Sequence, residues 1–175
     1  MVITLIILCI ALTFGVGVWR GAPYVPILSS PSQDLLKLAN LKPGQTLIDL
    51  GSGDGRLLKL AAKQGIRGIG YEINPIMYLI SRINCWRYRS LITIHLADLW
   101  FVRLPEADVI AVFLMGRFMS KLDAKLTQEL TRPTRLISHV FTIPGRVPEV
   151  STKNCFEYRY KNENIFQSKT GEQSV

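Results

Sequence analysis

Between Leu47 and Arg56 a short apolar run meets three glycines at alternate positions: Leu-Ile-Asp49-Leu-Gly51-Ser-Gly53-Asp54-Gly55-Arg. Few folds accept that pattern. Thr46–Leu50 has the brevity and apolar content of a strand buried on both faces. Gly51, Gly53 and Gly55 allow a tight turn in which backbone can approach a ligand. A helix is expected over residues 56–64, stopped by Gly65. A second strand, residues 66–71, ends on Glu72, 19 positions after Gly53. Strand, glycine turn, helix and second strand make the unit from which doubly wound parallel sheets are assembled.

The alternation continues. Asn74 and Pro75 open a helix expected over 75–88. Strands follow at 91–96 and 107–113, then a helix over 118–130 with Phe118, Leu122, Leu126 and Leu130 on one face. A fifth strand is expected at 136–140, and the end reads as a hairpin of Cys155–Tyr160 with 165–168. Ahead of the first strand, Ser32 is placed as the cap of a short helix that turns Leu35, Leu36, Leu38 and Ala39 inward. The fold class is α/β, a Rossmann-like sheet closed by an antiparallel pair, with ligands at the carboxyl ends of the strands.

Residues 2–19 carry no charge. As a helix they would reach about 27 Å, close to the ~30 Å of a hydrocarbon core. A single transmembrane anchor is the expectation. A cleaved leader would need a basic start and a small-residue cleavage site, and a buried first helix is the other alternative. The chain holds 21 Lys+Arg against 13 Asp+Glu, a net charge of +8, and Arg20 closes the apolar segment. The positive-inside rule then puts the following domain on the cytoplasmic side, or its organellar equivalent. The expected division is an anchor at 1–19, a leading segment at 20–44, the ligand-binding domain at 45–169 and a frayed end at 170–175. The surplus charge favours anionic partners, nucleic acid or acidic lipid, without choosing between them. Three scattered cysteines and two histidines show no metal-ligand spacing, so no metal is expected, and a reducing compartment fits.

Charge decides which nucleoside the turn can hold. A dinucleotide fingerprint would need a glycine where Arg56 stands, and the GK[ST] of a phosphate loop is absent. Asp49 and Asp54 flank the turn and would repel a pyrophosphate. S-adenosylmethionine has no phosphate and carries an ammonium and a sulfonium, which the same acids attract. Glu72 is expected to accept from the ribose hydroxyls and Asp98, after the third strand, from the adenine amino group. Leu99 or Trp100 would cover the ring. Asp98 as a simple turn acid is the alternative. His95 is expected in a strand, and His139 as a satisfied core or edge residue.

Taken together, GAPYVP after an apolar N-terminus, DLGSGDGR, GYEINP, Ser81-Arg82 and ADLW resemble one family. It is the membrane-anchored class I methyltransferases that modify lysines of the mitochondrial ADP/ATP carrier and of the ATP synthase c subunit, with their prokaryotic relatives. The stretches VFLMGRFMSKLDAKLTQEL and RLISHVFTIPG are similar to the same family's later elements. The resemblance implies a seven-stranded sheet, with Asp49, Gly51, Gly53 and Asp54 lining the methionine end of the cofactor. It also implies that Tyr24, Val25 and Pro26 fold over the cofactor and acceptor side. Tyr24, Pro26, Trp100, Phe113 and Met115 are the candidate walls of the acceptor mouth. This chain has Leu114-Met-Gly-Arg117 where the family tends to have a proline and a glutamine, and it lacks an aromatic near Arg146. The implied activity is lysine methylation of a membrane-embedded protein, with no general base assignable. The competing classes are a methyltransferase for nucleic acid or small molecules and a module that binds the nucleoside without turnover. An NPPY-type base pocket is absent, and Lys and Arg are spread, which argues against nucleic acid.

Overall fold

The computed structural model describes residues 29–160, together with Thr4. The remainder of the expected anchor at 2–19, the GAPYVP stretch with Tyr24 and Pro26, and the strand expected at 165–168 lie outside the described residues. Among the described residues no helix is long and apolar enough to cross a membrane.

The helices are α1 (Ser29–Ala39), α2 (Arg56–Ala62), α3 (Pro75–Asn84) and α4 (Met119–Glu129). The strands are β1 (Thr46–Leu50), β2 (Arg67–Glu72), β3 (Ile92–Leu96), β4 (Val109–Val112), β5 (Thr134–His139), β6 (Val150–Ser151) and β7 (Cys155–Tyr160). They form one seven-stranded sheet in the order β3-β2-β1-β4-β5-β7-β6. The first five strands are parallel neighbours, while β7 runs antiparallel to both β5 and β6. The order reverses at β1, so its carboxyl end opens a crevice, which is where the glycine turn sits.

Period-two alternation sends Ile48, Leu50, Ile110 and Leu136 to one face, against Met119, Leu122 and Leu126 of α4. Leu47, Val109, Ala111 and Ile137 go to the other, against Leu35 and Leu36 of α1 and Leu57 of α2. Leu47, Ile48 and Leu50 are fully buried, and burial of each such side chain is worth roughly 1.5–3 kcal/mol. A strand covered on both faces therefore reads as a continuous apolar run.

Several local expectations are corrected. Ser32 does not cap α1, which starts earlier at Ser29; Ser32 is buried within the helix. The helix expected over 75–88 ends at Asn84, and Trp86–Tyr88 continue as a tighter 3₁₀ turn. The strand expected to reach Val140 stops at His139, because Val140 adopts a left-handed φ of 72°. Among the described residues the hairpin partner of β7 is β6, which precedes it in sequence.

Candidate functional site

The turn after β1 is built from positive-φ glycines: Gly51, Gly53 and Gly55 at 87°, 54° and 78°. That conformation is open to glycine and strained for most other residues. The Gly51 and Ser52 amides donate to the Tyr71 carbonyl at 2.9 and 3.0 Å, and the Gly55 amide donates to Ser52 O at 2.9 Å. The Gly53 amide donates to Glu72 Oε2 at 2.8 Å, and the Arg56 amide to Asp54 Oδ1 at 3.2 Å. All five amides thus donate inside the protein. A phosphate nest needs such groups directed at the ligand.

Glu72 ends β2 and is buried. Its Oε1 accepts from the Asn74 amide at 2.8 Å, so the carboxylate bridges the turn and the first residue before α3. A carboxylate has about four acceptor positions, which leaves capacity for ribose hydroxyls. Asn74 caps α3 as expected: Oδ1 accepts from the Ile76 and Met77 amides at 2.9 and 3.2 Å. Burial raises the Glu72 carboxyl, while its backbone donors oppose that shift.

Asp49 lies buried in β1, in register with Gly70 on one side and Ala111 on the other. Its carboxyl is pushed up to about 7, first by burial and then by the charges of Glu72 and Asp54. Asp54 differs. Arg56 Nε donates to its Oδ1 at 3.0 Å, and Nη2 donates to its Oδ2 at 2.7 Å. Burial alone would raise Asp54, but the Arg56 bonds prevail and hold it below the usual carboxylate range. From the sequence, Asp54 counts as a second cation-attracting acid. Arg56 pairs with it, yet the Asp54 charge still raises Asp49, so Asp54 and Glu72 both add to the negative field at the turn.

Gly55 is buried beneath α3: a Cβ there would meet Cys85 Sγ at 2.8 Å and Ser81 Cβ at 3.1 Å. It is a packing glycine that lets α2 and α3 approach. Gly70, the first residue of GYEINP, also has a packing role: a Cβ on it would meet Leu58 Cδ1 at 2.7 Å and Ser52 Oγ at 2.8 Å. Glycine at Gly68 and Gly70 in an otherwise apolar strand was the available signal of close approach.

Asp98 forms a turn after β3, its Oδ1 accepting from the Trp100 amide at 3.0 Å. Leu99 is buried in the apolar cluster that includes Leu50 and Tyr71. The candidate wall residues divide into two groups. Trp100 lies 6.0 Å from Phe118, with Lys121 Nζ 4.2 Å from its ring centre. Phe113 follows β4 and meets His139 edge-on at 5.4 Å and Phe141 at 6.4 Å. Met115 is half-buried where the chain enters the 3₁₀ turn Gly116–Phe118.

His139 departs from its expected role as a satisfied core residue. It is buried, and among the described residues neither ring nitrogen has a hydrogen-bond partner. Burial holds the imidazole below its ordinary pKa, with Asp34 opposing. Local spacing does not announce this, because it is the pairing of β4 with β5 that brings Phe113 beside His139 and Phe141.

The turn fits a phosphate-free cationic nucleoside. Among the described residues Ser52 Oγ is buried without a partner, and nothing lies within 4 Å of where a Cβ on Gly53 would stand. Two buried carboxylates, Asp49 and Glu72, stand at the turn, while five of the amides a phosphate would use are engaged. Fold and turn together define a class I S-adenosylmethionine-dependent methyltransferase.

Comparison with known proteins agrees. The model of the ANTKMT methyltransferase domain matches residues 49–150, and the chain belongs to that family. It is 34% identical over 129 residues to the ATP synthase c-subunit lysine N-methyltransferase of Xenopus laevis, covering 73% of this chain and 57% of that protein. It is 35% identical over 129 residues to the adenine nucleotide translocase lysine N-methyltransferase of Mus musculus, covering 72% and 56%. The chain thus spans little more than half the length of these curated relatives. A crystal structure of an RNA methyltransferase from Salinibacter ruber, in complex with S-adenosyl-L-homocysteine, superposes with a TM-score of 0.73 at 29% identity. That match covers 79% of this chain and 95% of the other.

Proposed function

We propose that this chain is a membrane-tethered protein-lysine N-methyltransferase acting on a membrane-embedded protein. The carrying observation is the pairing of buried Asp49 with Glu72 across a turn whose amides are already engaged. The names of the relatives support the acceptor class. Asp49 and the glycine turn would hold the methionine end, Glu72 the ribose and Asp98 the adenine. S-adenosylmethionine, when bound, supplies a methyl group on a cationic sulfonium.

The protein's own part is to align and to exclude water. Holding acceptor and donor in attack geometry can supply roughly 7–11 kcal/mol. A lysine ammonium must lose its proton first, and an apolar mouth lowers its pKa by desolvation. Phe113, Phe141 and neutral His139 give that mouth one wall, Trp100 and Phe118 another, and Tyr24 and Pro26 would complete it from the leading segment. Residues 2–19 would anchor the chain with this domain on the cytoplasmic side, or the organellar equivalent, raising its effective concentration towards membrane proteins.

A second reading, methyl transfer to nucleic acid, draws on the +8 charge and the Salinibacter protein's title. Membrane extract and total RNA are each incubated with the protein and methyl-labelled S-adenosylmethionine. Label in protease-sensitive bands that hydrolyse to methyl-lysine is expected. Label confined to RNase-sensitive material would overturn the proposal in favour of the second reading.

A further inference from the structure

The face of α3 turned away from the sheet is apolar where a helix of a self-contained domain would be charged. Leu79, Ile83 and Trp86 follow one another at helical spacing and are 60%, 75% and 61% exposed. Ile80, also exposed, widens the stripe. Arg82 flanks it on one side, and Arg87 and Arg89 extend it through the 3₁₀ turn. All three arginines are exposed, and none of the three is paired with a carboxylate among the described residues. From Ile73 through Ala97 the sequence contains no Asp or Glu at all. Arg89 lies over the Trp86 ring at 5.0 Å, and Arg82 Nη1 donates to the Tyr78 hydroxyl at 3.0 Å.

Beside this stripe, along the edge of β3 that is unpaired among the described residues, runs an open cleft of about 650 Å³. Tyr78, Arg82, His95, Leu96 and Arg103 line it, and none of its lining residues is acidic. Apolar stripe, interleaved arginines, an indole beside them and an acid-free basic cleft have the chemistry of a surface that lies in a headgroup layer.

We propose that α3 and the adjoining β3 edge dock onto an anionic phospholipid bilayer, with Leu79, Ile83 and Trp86 entering the interface and the arginines meeting lipid phosphates. The charge argues for lipid over a second copy of the chain, because two such faces would repel each other. Docking also has a consequence for the site. The Asn74 amide, just before α3, donates to Glu72, so the docked helix holds the cofactor crevice at the membrane surface. This inference rests on the reading of the chain as an enzyme of membrane-embedded acceptors.

The test uses the full chain in vesicles, with an environment-sensitive dye on Ile83→Cys in a Cys9→Ser background; Cys85 and Cys155 are buried. A matching dye on Gln128→Cys, exposed on α4, is the control. In phosphatidylcholine vesicles containing phosphatidylglycerol and brominated lipid, the dye at position 83 is expected to be quenched and the control to stay aqueous. Replacing Arg82, Arg87 and Arg89 by serine should weaken docking on the order of a hundredfold. A urea titration confirms that this variant is folded.

An aqueous dye at position 83 in every vesicle would overturn the proposal. A blue shift without lipid would also overturn it, assigning the face to residues 1–28 if independent of protein concentration and to a second copy if it grows with concentration. Lysine methylation is scored separately in vesicles carrying membrane proteins. Methylation with an aqueous dye sinks the docking alone, whereas a docked dye without lysine methylation sinks only the functional reading.

Discussion

Asp49→Asn preserves the shape of the side chain and removes its charge, and two measurements follow. In the unliganded protein the Asp49 carboxyl sits at about 7, against 3.8 in an open chain. Between those values the native state keeps a proton that the unfolded state has lost. Raising the pH through that window therefore destabilises the fold by ~1.4 kcal/mol per unit. From about pH 5.5 to about pH 8 the loss is about 2 kcal/mol. Buried His139, whose pKa is lowered, works in the opposite direction below its unfolded value, but identically in both proteins. Urea titrations of the unliganded chain at the two pH values should thus show the wild type losing about 2 kcal/mol more than D49N.

Cofactor binding gives the converse. A cationic ligand favours the carboxylate, so binding near neutral pH releases a proton, and wild-type affinity falls roughly tenfold from about pH 7.5 to about pH 6. Calorimetry in buffers of different ionisation enthalpy reads the proton directly. D49N should bind on the order of a hundredfold more weakly, as expected for loss of a charged partner. Parallel stability curves for the two proteins, with no proton released on binding, would refute the reasoning.

Glu72→Gln turns an acceptor oxygen into a donor facing either the Gly53 or the Asn74 amide, each now 2.8 Å away. Stability should fall by about 1–3 kcal/mol and cofactor affinity with it; an unchanged urea midpoint would show the bridge to be dispensable. Gly70→Ala drives a methyl into Leu58 and Ser52 and should cost about 1–3 kcal/mol, read by thermal unfolding. His139→Leu should stabilise the fold by about 1 kcal/mol at neutral pH and more below pH 6, since it removes two nitrogens without a partner among the described residues and a group that the unfolded chain protonates more readily than the native one. Destabilisation in urea titrations would mean that the imidazole has a partner in solution.

What the sequence settled was local or periodic. The run Thr46–Leu50 needed no partner to be recognised, because a strand covered on both faces must be apolar throughout. Asn74-Pro75 announces a helix start through chemistry confined to three residues. The glycines, Glu72 and the spacing between them were legible for the same reason, and so was the cofactor class. Tertiary structure decided the rest. Whether Asp54 acts on a ligand or is claimed by Arg56 depends on rotamers that spacing does not encode. That the turn's amides donate inward emerges only when β2 lies beside β1. His139 meets the Phe113 ring only because β4 and β5 lie side by side in the sheet. The stripe on α3 is apolar in the sequence either way; only packing of the opposite side against Ile92 and Ile94 leaves Leu79 and Ile83 outside. Backbone preferences act over a few residues, whereas charge pairing and exposure depend on neighbours that the fold brings together.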